Sequence, residues 1–203
     1  MKPLFIIFFL LNIQMADAIL KELPENDYNS WVQLEKNNIQ VYYSKGLSVP
    51  WCRATANFRF SQDEIYSALK NLKNYKNIFE RVTDSRLLDE NIVYIRLDMP
   101  YIFADRDYTV KYLESTKNEE VIFQFYSVSH PNTPNNSGSV TLPRAAGEWR
   151  LIPLNDNATR VIYTWNGELL GNFPNSSLKT AWAKQGTEVM TWLNQYLKLI
   201  KEN

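Results

Sequence analysis

The stretch that decides the fold runs from Gly171-Asn172-Phe173-Pro174 to the C-terminus. Beyond Pro174, mostly apolar side chains recur at alternating intervals of four and three residues, at Leu178, Trp182, Gln185, Val189, Trp192, Tyr196 and Leu199. This spacing predicts one apolar stripe along a long helix. A terminal helix after many strand-like segments needs a wide surface to cover, and a curved antiparallel sheet offers one. The pattern therefore predicts a sheet, a covering helix and a cavity between them.

The first residues have the pattern of an export signal. Met1-Lys2 is followed by a short apolar run over residues 3–11, and Ala16-Asp17-Ala18 resembles a cleavage site. The run is too short to cross a membrane, which takes roughly 20 apolar residues. We expect residues 1–18 to be a signal peptide and residues 19–203 to form one domain of an exported protein, either periplasmic or secreted.

Composition excludes some partners. The chain has 22 basic and 22 acidic residues, so its balanced charge gives no reason to expect nucleic acid as a partner. Cys52 is the one cysteine and has no partner for an internal disulfide. We expect it to be a small apolar core residue rather than a reactive or intermolecular thiol.

The remaining segments suggest an α+β domain. Helices are expected at residues 29–35, at a capping box formed by Ser61 and Glu64, and at residues 75–80. Strands are expected at residues 39–44, 52–60, 82–88, 92–99, 107–113, 120–128, 147–152 and 160–169. Residues 130–138, rich in Pro, Asn and Ser, are expected to form a mobile loop.

This order of elements, together with scattered residues, resembles the steroidogenic-acute-regulatory-related lipid-transfer family, called START, within the helix-grip superfamily. The matching residues are Trp31 before Asn37-Asn38-Ile39, Tyr75 to Glu80, Met99-Pro100 before Arg106-Asp107-Tyr108, Arg144 with Trp149-Arg150-Leu151, and Gly171-Asn172-Phe173-Pro174. The resemblance implies a curved antiparallel sheet wrapped around the C-terminal helix. It also implies an apolar tunnel for one molecule, with an Ω-loop near residues 101–105 at the entrance.

Aromatic content agrees with such a cavity. Aromatic residues make up 14% of the chain and fall on the predicted strands and on the covering helix. Such side chains can line an apolar cavity. Any single one can equally fill a solid core, so only the set as a whole favours a cavity.

The resemblance also bears on the ligand. Cholesterol-binding members carry a buried carboxylate and a buried Arg, whose positions counted from Arg106 are Val93 and Tyr112 here. The sterol-type ion pair is therefore missing. Both charges are absent together, which avoids a buried unpaired charge and leaves a more apolar interior.

The phosphatidylcholine-binding member suggests other ligand contacts. Its headgroup Arg and Asp correspond to Lys76 and Glu80, and Tyr108 and Trp149 fall near its aromatic cage. Lys76 and Glu80 can instead be a surface ion pair, and Tyr108 and Trp149 can be ordinary strand packing. Trp182, on the stripe of the covering helix, completes the set of candidate ligand-binding residues and is expected to hold the lid in place.

Two polar pairs are expected to be structural. Arg96 and Asp98 lie on the strand face opposite Ile95 and Leu97, so we expect them in solvent or bound to a neighbouring strand. Arg106-Asp107 is expected to tie the start of its strand to the adjacent loop, without contacting the ligand.

Catalytic signals are weak. The single histidine, His130, sits in the Pro-rich loop, where an aligned base is not expected. The sequence has no nucleophile elbow, zinc-binding helix or Gly-rich phosphate loop, so no cofactor and no metal are expected.

The sequence thus predicts a non-enzymatic, monomeric carrier or sensor of a lipid or similar apolar molecule, with transient membrane contact. The Ω-loop and the C-terminal helix would gate the tunnel. Two alternatives stay open: a helix-grip enzyme, such as a cyclase or hydrolase of an apolar substrate, and an interaction module with a filled interior.

Overall fold

A curved sheet and a long helix laid across it make up most of the molecule. The computed structural model describes residues 20, 22–25, 28–100 and 102–202, and the expected signal peptide lies outside this part of the chain. The described strands follow one another in the sheet in the order β1-β2-β3-β10-β9-β7-β6-β5-β4, and neighbours in this row are antiparallel. The expected α+β helix-grip architecture is confirmed.

The ten strands have these bounds: β1 Trp31–Lys36, β2 Gln40–Ser44, β3 Trp51–Phe58, β4 Val82–Asp89, β5 Ile92–Leu97, β6 Asp105–Lys117, β7 Glu120–Ser127, β8 Ser139–Thr141, β9 Ala146–Asn155 and β10 Ala158–Asn166. The short β8 lies off the main row and pairs with β6 in parallel. It follows the Pro-rich loop of residues 130–138 and is too short to show a pattern in the sequence.

Within residues 28–100 and 102–202 the α-helices are α1 Gln62–Lys70, α2 Tyr75–Ile78 and α3 Leu178–Glu202. The capping box at the start of α1 is confirmed, because the Ser61 side chain accepts from the Glu64 backbone N–H and the Glu64 side chain accepts from the Ser61 backbone. Short 3-10 turns, Leu72–Asn74 and Asn175–Ser177, precede α2 and α3. The long α3 packs against β1, β2 and β3.

The expected helix at residues 29–35 is wrong, since Trp31–Lys36 forms the edge strand β1. Trp31 and Leu34 are three residues apart, which fits one helix face but places them on opposite faces of a strand. Trp31 packs with Trp51 in a small outer cluster, whereas Leu34 packs against the main core. A register shift between Gln33 and Glu35 interrupts the alternation that would otherwise indicate a strand.

A two-residue turn joins the longest strand, β6, to β7. Both of its residues, Asn118 and Glu119, have positive φ, 51° and 66°. Asn tolerates this region but Glu does not favour it. The Gln62 side chain, at the start of α1, donates a 2.7 Å hydrogen bond to the Glu119 carbonyl and so ties the turn to the body of the protein.

The main core lies between the sheet and α3. Cys52 is fully buried in it, and burial raises the pKa of its thiol, so the expected core role is confirmed. The close approach of α3 to the sheet depends on Gly186. A Cβ at this position would lie 3.0 Å from Val41 and from the Trp165 ring.

Candidate ligand-binding cavity

The core is not completely filled. Between α3, the inner face of the sheet and α2 lies a cavity of about 390 Å³. Its wall is mainly aromatic and aliphatic, with the larger apolar members at Tyr75, Phe79, Val82, Ile95, Leu97, Met99, Phe103, Tyr108, Tyr112, Phe125, Trp149, Tyr163, Trp165, Leu169, Phe173, Val189 and Trp192. This volume lies in the range of small-molecule sites. The expectation of a cavity beneath the terminal helix is confirmed.

The helix α3 uses two adjacent faces. Its buried residues, Trp182, Gly186, Met190, Leu193 and Leu197, form the face packed on the sheet. A neighbouring face, which includes Ala181, Gln185, Glu188, Val189 and Trp192, lines the cavity.

The stripe expected from the sequence mixes these two faces and is only partly right. It includes Leu199, which is 60% exposed, and omits Gly186, Met190, Leu193 and Leu197. The reason is that a helix beside a cavity needs apolar residues toward the opening as well as toward the sheet. Its apolar arc is then wider than one core-facing stripe.

A row of stacked rings forms part of the sheet wall. Trp149 of β9 stacks on its cross-strand neighbour Tyr163 at 4.2 Å between ring centroids, and Tyr163 stacks on Trp165 at 4.9 Å. Phe79, just after α2, continues the row at 6.2 Å from Trp149. Because the rings stack on one another, each is held by its neighbours in a fixed position.

Two segments form the mouth of the cavity. One is the described part of the connection between β5 and β6, residues 98–100 and 102–104, and the other is residues 167–174, which precede the 3-10 turn before α3. Phe103 of the first segment packs on Phe173 of the second at 4.6 Å between centroids. Leu170 and Gly171 turn the second segment with positive φ, 51° and 60°.

Arg106 joins these two segments. Its side chain is 2% exposed and donates to the carbonyls of Leu169 and Leu170 at 2.8 and 2.9 Å, and also to the carbonyl of Ala104. Burial lowers the pKa of this guanidinium from its ordinary value. The expected structural role of Arg106 is confirmed, although the residue also lines the cavity.

Two neighbouring polar pairs are also structural. Asp107 accepts hydrogen bonds from the Thr141 hydroxyl at 2.6 Å and the Tyr94 hydroxyl at 3.1 Å, and so ties β6 to β8 and β5. Arg96 pairs with Asp105 of the adjacent strand at 2.7 Å. The expected strand-to-strand role of Arg96 is therefore confirmed, while Asp98 is exposed.

An ion pair crosses the cavity wall at another point. Arg81, just before β4, donates two hydrogen bonds to the Glu188 carboxylate of α3, at 2.7 and 3.0 Å. Both side chains line the cavity and are about three-quarters buried. Donating these hydrogen bonds to the Glu188 carboxylate raises the pKa of Arg81. This bidentate pair connects the helix to the segment after α2.

The structure brings two of the five candidate ligand-binding residues to the cavity. Tyr108 and Trp149 line it, so their contact with a ligand stays a prediction with the required geometry. Lys76 and Glu80 are exposed and lie outside the lining. Trp182 also lies outside it, because its ring packs near Tyr43 and its indole N–H donates to the Gly167 carbonyl at 2.8 Å.

The positions of Lys76 and Glu80 have a local cause. The short α2 has buried residues at Tyr75 and Ile78, so Lys76 points to solvent, and Glu80 beyond the helix is exposed as well. Among the described ion pairs none joins Lys76 to Glu80, and Arg81 is the nearby charged residue that reaches the cavity.

Sequence reasoning missed Arg81, Glu188 and three of the cavity tyrosines as site residues. For Tyr75 and Tyr163 the only signal was an aromatic residue among many, and Tyr112 was noted only as a substitute for a charged residue. Arg81 and Glu188 are 107 residues apart in the chain, and nothing local marks them as partners.

The described residues contain no cluster of His, Cys, Asp and Glu suited to a metal ion. None of the described helices is long and apolar enough to cross a membrane.

Comparisons with known proteins agree with this geometry at the level of the fold. No protein-family model matches the chain. An uncharacterized protein of Pseudomonas aeruginosa is 25% identical over 81 residues, which span only 40% of this chain and 40% of that protein. The human StAR-related lipid transfer protein 5 superposes with a TM-score of 0.80 at 16% identity, covering 96% of this chain and all of that one. The fold is that of a START domain.

Other solved structures share this START fold. A STAR-related lipid transfer protein from Xanthomonas axonopodis has a TM-score of 0.73 at 19% identity, covering 84% of this chain and 99% of that one. The Zhui aromatase/cyclase from a Streptomyces species is more distant, with a TM-score of 0.53 at 12% identity over 73% of this chain and 93% of that one. The START fold therefore occurs in both carriers and enzymes, and the site itself must distinguish them.

Proposed function

We propose that this protein binds one lipid or similarly apolar molecule in the cavity under α3 and carries it between membranes or to a partner. The observation that supports this most directly is the aromatic-lined cavity of about 390 Å³ beneath the helix. Its wall removes a ligand from water, and burial contributes about 0.8 kcal/mol per CH₂. The names of several START-fold structures, which are lipid transfer proteins, agree with this proposal.

The size of the cavity limits the ligand. Taking about 30 Å³ per water molecule, 390 Å³ is room for about a dozen waters. This suits a single acyl chain or a compact ring system better than a phospholipid with two long chains. A larger lipid would need the mouth segments and α3 to move apart.

The charged groups of the cavity favour a carrier over an enzyme. The two carboxylates that line it, Glu188 and Glu168, lie next to Arg81 and Arg144 at 2.7 and 3.5 Å. The cyclase-type alternative would need a base free to reach the substrate, and these two carboxylates are engaged.

The mouth is suited to brief contact with a membrane. Ile102 is 80% exposed and Leu170 is 41% exposed, one on each mouth segment. Lys184, near the start of α3, also lines the cavity and is exposed. Apolar tips beside cationic side chains can insert shallowly at a bilayer surface and bring the opening to the lipid.

Export and a monomeric state belong to the same proposal. The sequence pattern of residues 1–18 supports export, and N-terminal sequencing of the protein from its own host would test it. A mature chain that begins at Ile19 in the periplasm or medium agrees with export. A chain retaining Met1 in the cytosol would contradict it.

Native mass spectrometry of protein from its own host tests ligand binding. We expect one apolar adduct per chain and its loss in Ala181→Phe, which fills the cavity from α3. Ala183→Phe is the matched control, because Ala183 is a half-buried residue of the same helix outside the lining. Absence of any adduct, or equal adducts in both variants, would contradict the proposal.

A further inference from the structure

Four tyrosines line the same cavity from three different elements. Tyr75 comes from α2, Tyr108 and Tyr112 from β6, and Tyr163 from β10. Tyr108 and Tyr112 are four residues apart on one strand and share its inner face. The Tyr112 ring meets the Tyr75 ring edge-on at 6.2 Å between centroids.

The Phe125 ring completes this group. It lies 5.4 Å from the Tyr112 ring and 6.4 Å from the Tyr163 ring, so it connects the β6 side to the β10 side. The four tyrosines therefore surround one region of the cavity.

The Tyr75 hydroxyl is fixed by a hydrogen bond to the backbone. Tyr75 donates to the Leu69 carbonyl of α1 at 2.7 Å. The Tyr112 ring packs edge-on against the Tyr75 ring, which places the Tyr112 side chain in the same region of the cavity. The Tyr112 oxygen keeps its lone pairs free to accept a further hydrogen bond.

The other two hydroxyls are unengaged. Tyr108 and Tyr163 form no hydrogen bond with any residue that the structure describes, although both line the cavity. Because both side chains line the cavity, their hydroxyls can donate to an oxygen atom of a ligand. The region thus offers two donors, Tyr108 and Tyr163, and one acceptor, Tyr112.

These groups stay neutral. Burial raises the pKa of each of the four tyrosines, so none ionises near neutral pH. The cations that line the cavity are already engaged: Arg81 and Lys184 with Glu188, Arg106 with backbone carbonyls, and Arg144 with Glu22 and Glu168. An anionic headgroup would therefore be buried without a free counter-charge, which is unfavourable.

We propose that Tyr108, Tyr112 and Tyr163 form a subsite for one neutral oxygen of the ligand, the hydroxyl of an alcohol or the carbonyl of a ketone. An alcohol accepts from Tyr108 or Tyr163 and donates to Tyr112. A ketone accepts from Tyr108 and Tyr163 together. This inference rests on the proposed binding function and adds the chemical class of the ligand to it.

Four probes of nearly equal apolar size test the subsite. Decane, decanol, methyl octyl ketone and decanoate are titrated at neutral pH into the full chain, and binding is followed by the fluorescence of the cavity tryptophans. We expect decanol and the ketone to bind about tenfold more tightly than decane, as one to two net hydrogen bonds predict. Decanoate is expected to bind no more tightly than decane.

The variants Tyr108→Phe and Tyr163→Phe remove one hydroxyl each and keep the ring. Each should lower the ratio of decanol to decane affinity at least about threefold. An effect of the substitution on folding changes the affinities for decanol and decane alike, so it cancels in their ratio. Tyr66→Phe is the matched control, because Tyr66 lies outside the cavity lining, and its ratio should equal that of the wild type.

The outcomes separate this inference from the proposed function. Equal affinity for all four probes, strongest binding of decanoate, or an unchanged ratio in both cavity variants would overturn the tyrosine subsite while leaving a carrier of apolar molecules. Failure of every probe to bind would contradict the binding function itself.

Discussion

Arg81 and Glu188 form a bidentate ion pair, with distances of 2.7 and 3.0 Å, that fastens α3 to the segment before β4 at the cavity wall. Lys184, one turn earlier on α3, lies 3.7 Å from the same carboxylate but is mostly exposed. The Arg81 pair is therefore the stronger attachment of this part of the helix.

We expect Glu188→Gln to lower the free energy of unfolding by about 1–2 kcal/mol, because a partly buried guanidinium loses its charged partner. The same change should speed the release of a bound ligand, since α3 is held less firmly over the cavity. Urea unfolding and stopped-flow release of a fluorescent fatty alcohol would measure the two effects. Lys70→Met, which removes the exposed pair between Lys70 and Glu114, is the control and should cost less than about 0.5 kcal/mol. Equal effects of the two substitutions would refute this assignment.

Trp182 fixes the N-terminal part of α3 through its indole N–H bond to the Gly167 carbonyl. We expect Trp182→Phe to destabilise the protein by about 1–3 kcal/mol, since the substitution leaves that buried carbonyl without its donor. Thermal unfolding would measure the loss. Trp192→Phe changes a half-buried cavity residue with no hydrogen bond to the described part of the chain, so it should cost less. The opposite order would show that Trp182 does not anchor the helix.

Ile102 is expected to contribute to membrane contact at the mouth. Ile102→Asn should reduce flotation of the protein with vesicles of phosphatidylcholine and phosphatidylglycerol, and combination with Leu170→Asn should reduce it further. Leu87→Asn is the control for Leu170→Asn, because Leu87 is 47% exposed, close to the 41% of Leu170, but lies on β4. Unchanged flotation of the double variant would exclude the mouth as the contact surface.

Alkaline pH should destabilise the protein through the buried tyrosines. Burial raises the pKa of Tyr75, Tyr108, Tyr112 and Tyr163 in the folded state, whereas the unfolded chain titrates near the ordinary value of about 10. Above that pH the unfolded state binds fewer protons than the folded state, so stability falls as pH rises. The stabilisation is fully present below about pH 10 and is lost toward the higher folded values.

Urea midpoints measured from pH 8 to pH 11 should therefore decline above about pH 10. The decline should be shallower in Tyr163→Phe, which removes one titrating group. Phenolate absorbance provides a second measurement, in which four tyrosines should remain un-ionised until the protein unfolds. A pH-independent midpoint across this window would contradict the burial of these hydroxyls.

Glu119→Gly should stabilise the protein by about 0.5–1 kcal/mol, since glycine adopts the observed positive φ without strain. The turn lies far along the sheet from the mouth, so ligand affinity should not change. Thermal unfolding and a binding titration would measure both quantities. A lower melting temperature would show that the Glu119 side chain contributes more than its backbone conformation costs.

Much of the fold could be predicted because its signals are local. The alternation around Cys52 indicated β3, and Ser61 with Glu64 marked the start of α1. The error at Trp31 arose because a three-residue spacing fits a helix and also fits the two faces of a strand. The parallel pairing of β8 with β6 could not be predicted from three residues. It depends on which backbone groups of β6 the neighbouring strands leave without a partner.

The site was harder to predict than the fold because its members meet only after folding. Tyr108 and Trp149 were found through a resemblance, whereas Arg81 and Glu188 are distant in the chain and each resembles an ordinary surface charge. The charges at Lys76 and Glu80 looked more suitable in sequence, but the buried positions of the short α2 turn them to solvent. The buried positions of the short α2 thus determined which charged side chain lines the cavity.

A single guanidinium has a consequence for how the cavity can open. Arg106 grips carbonyls on both mouth segments, so neither segment can swing outward alone without stranding a nearly fully buried cation. Arg106 thus couples the described parts of the two segments. A guest that enters through the mouth would have to displace both segments together.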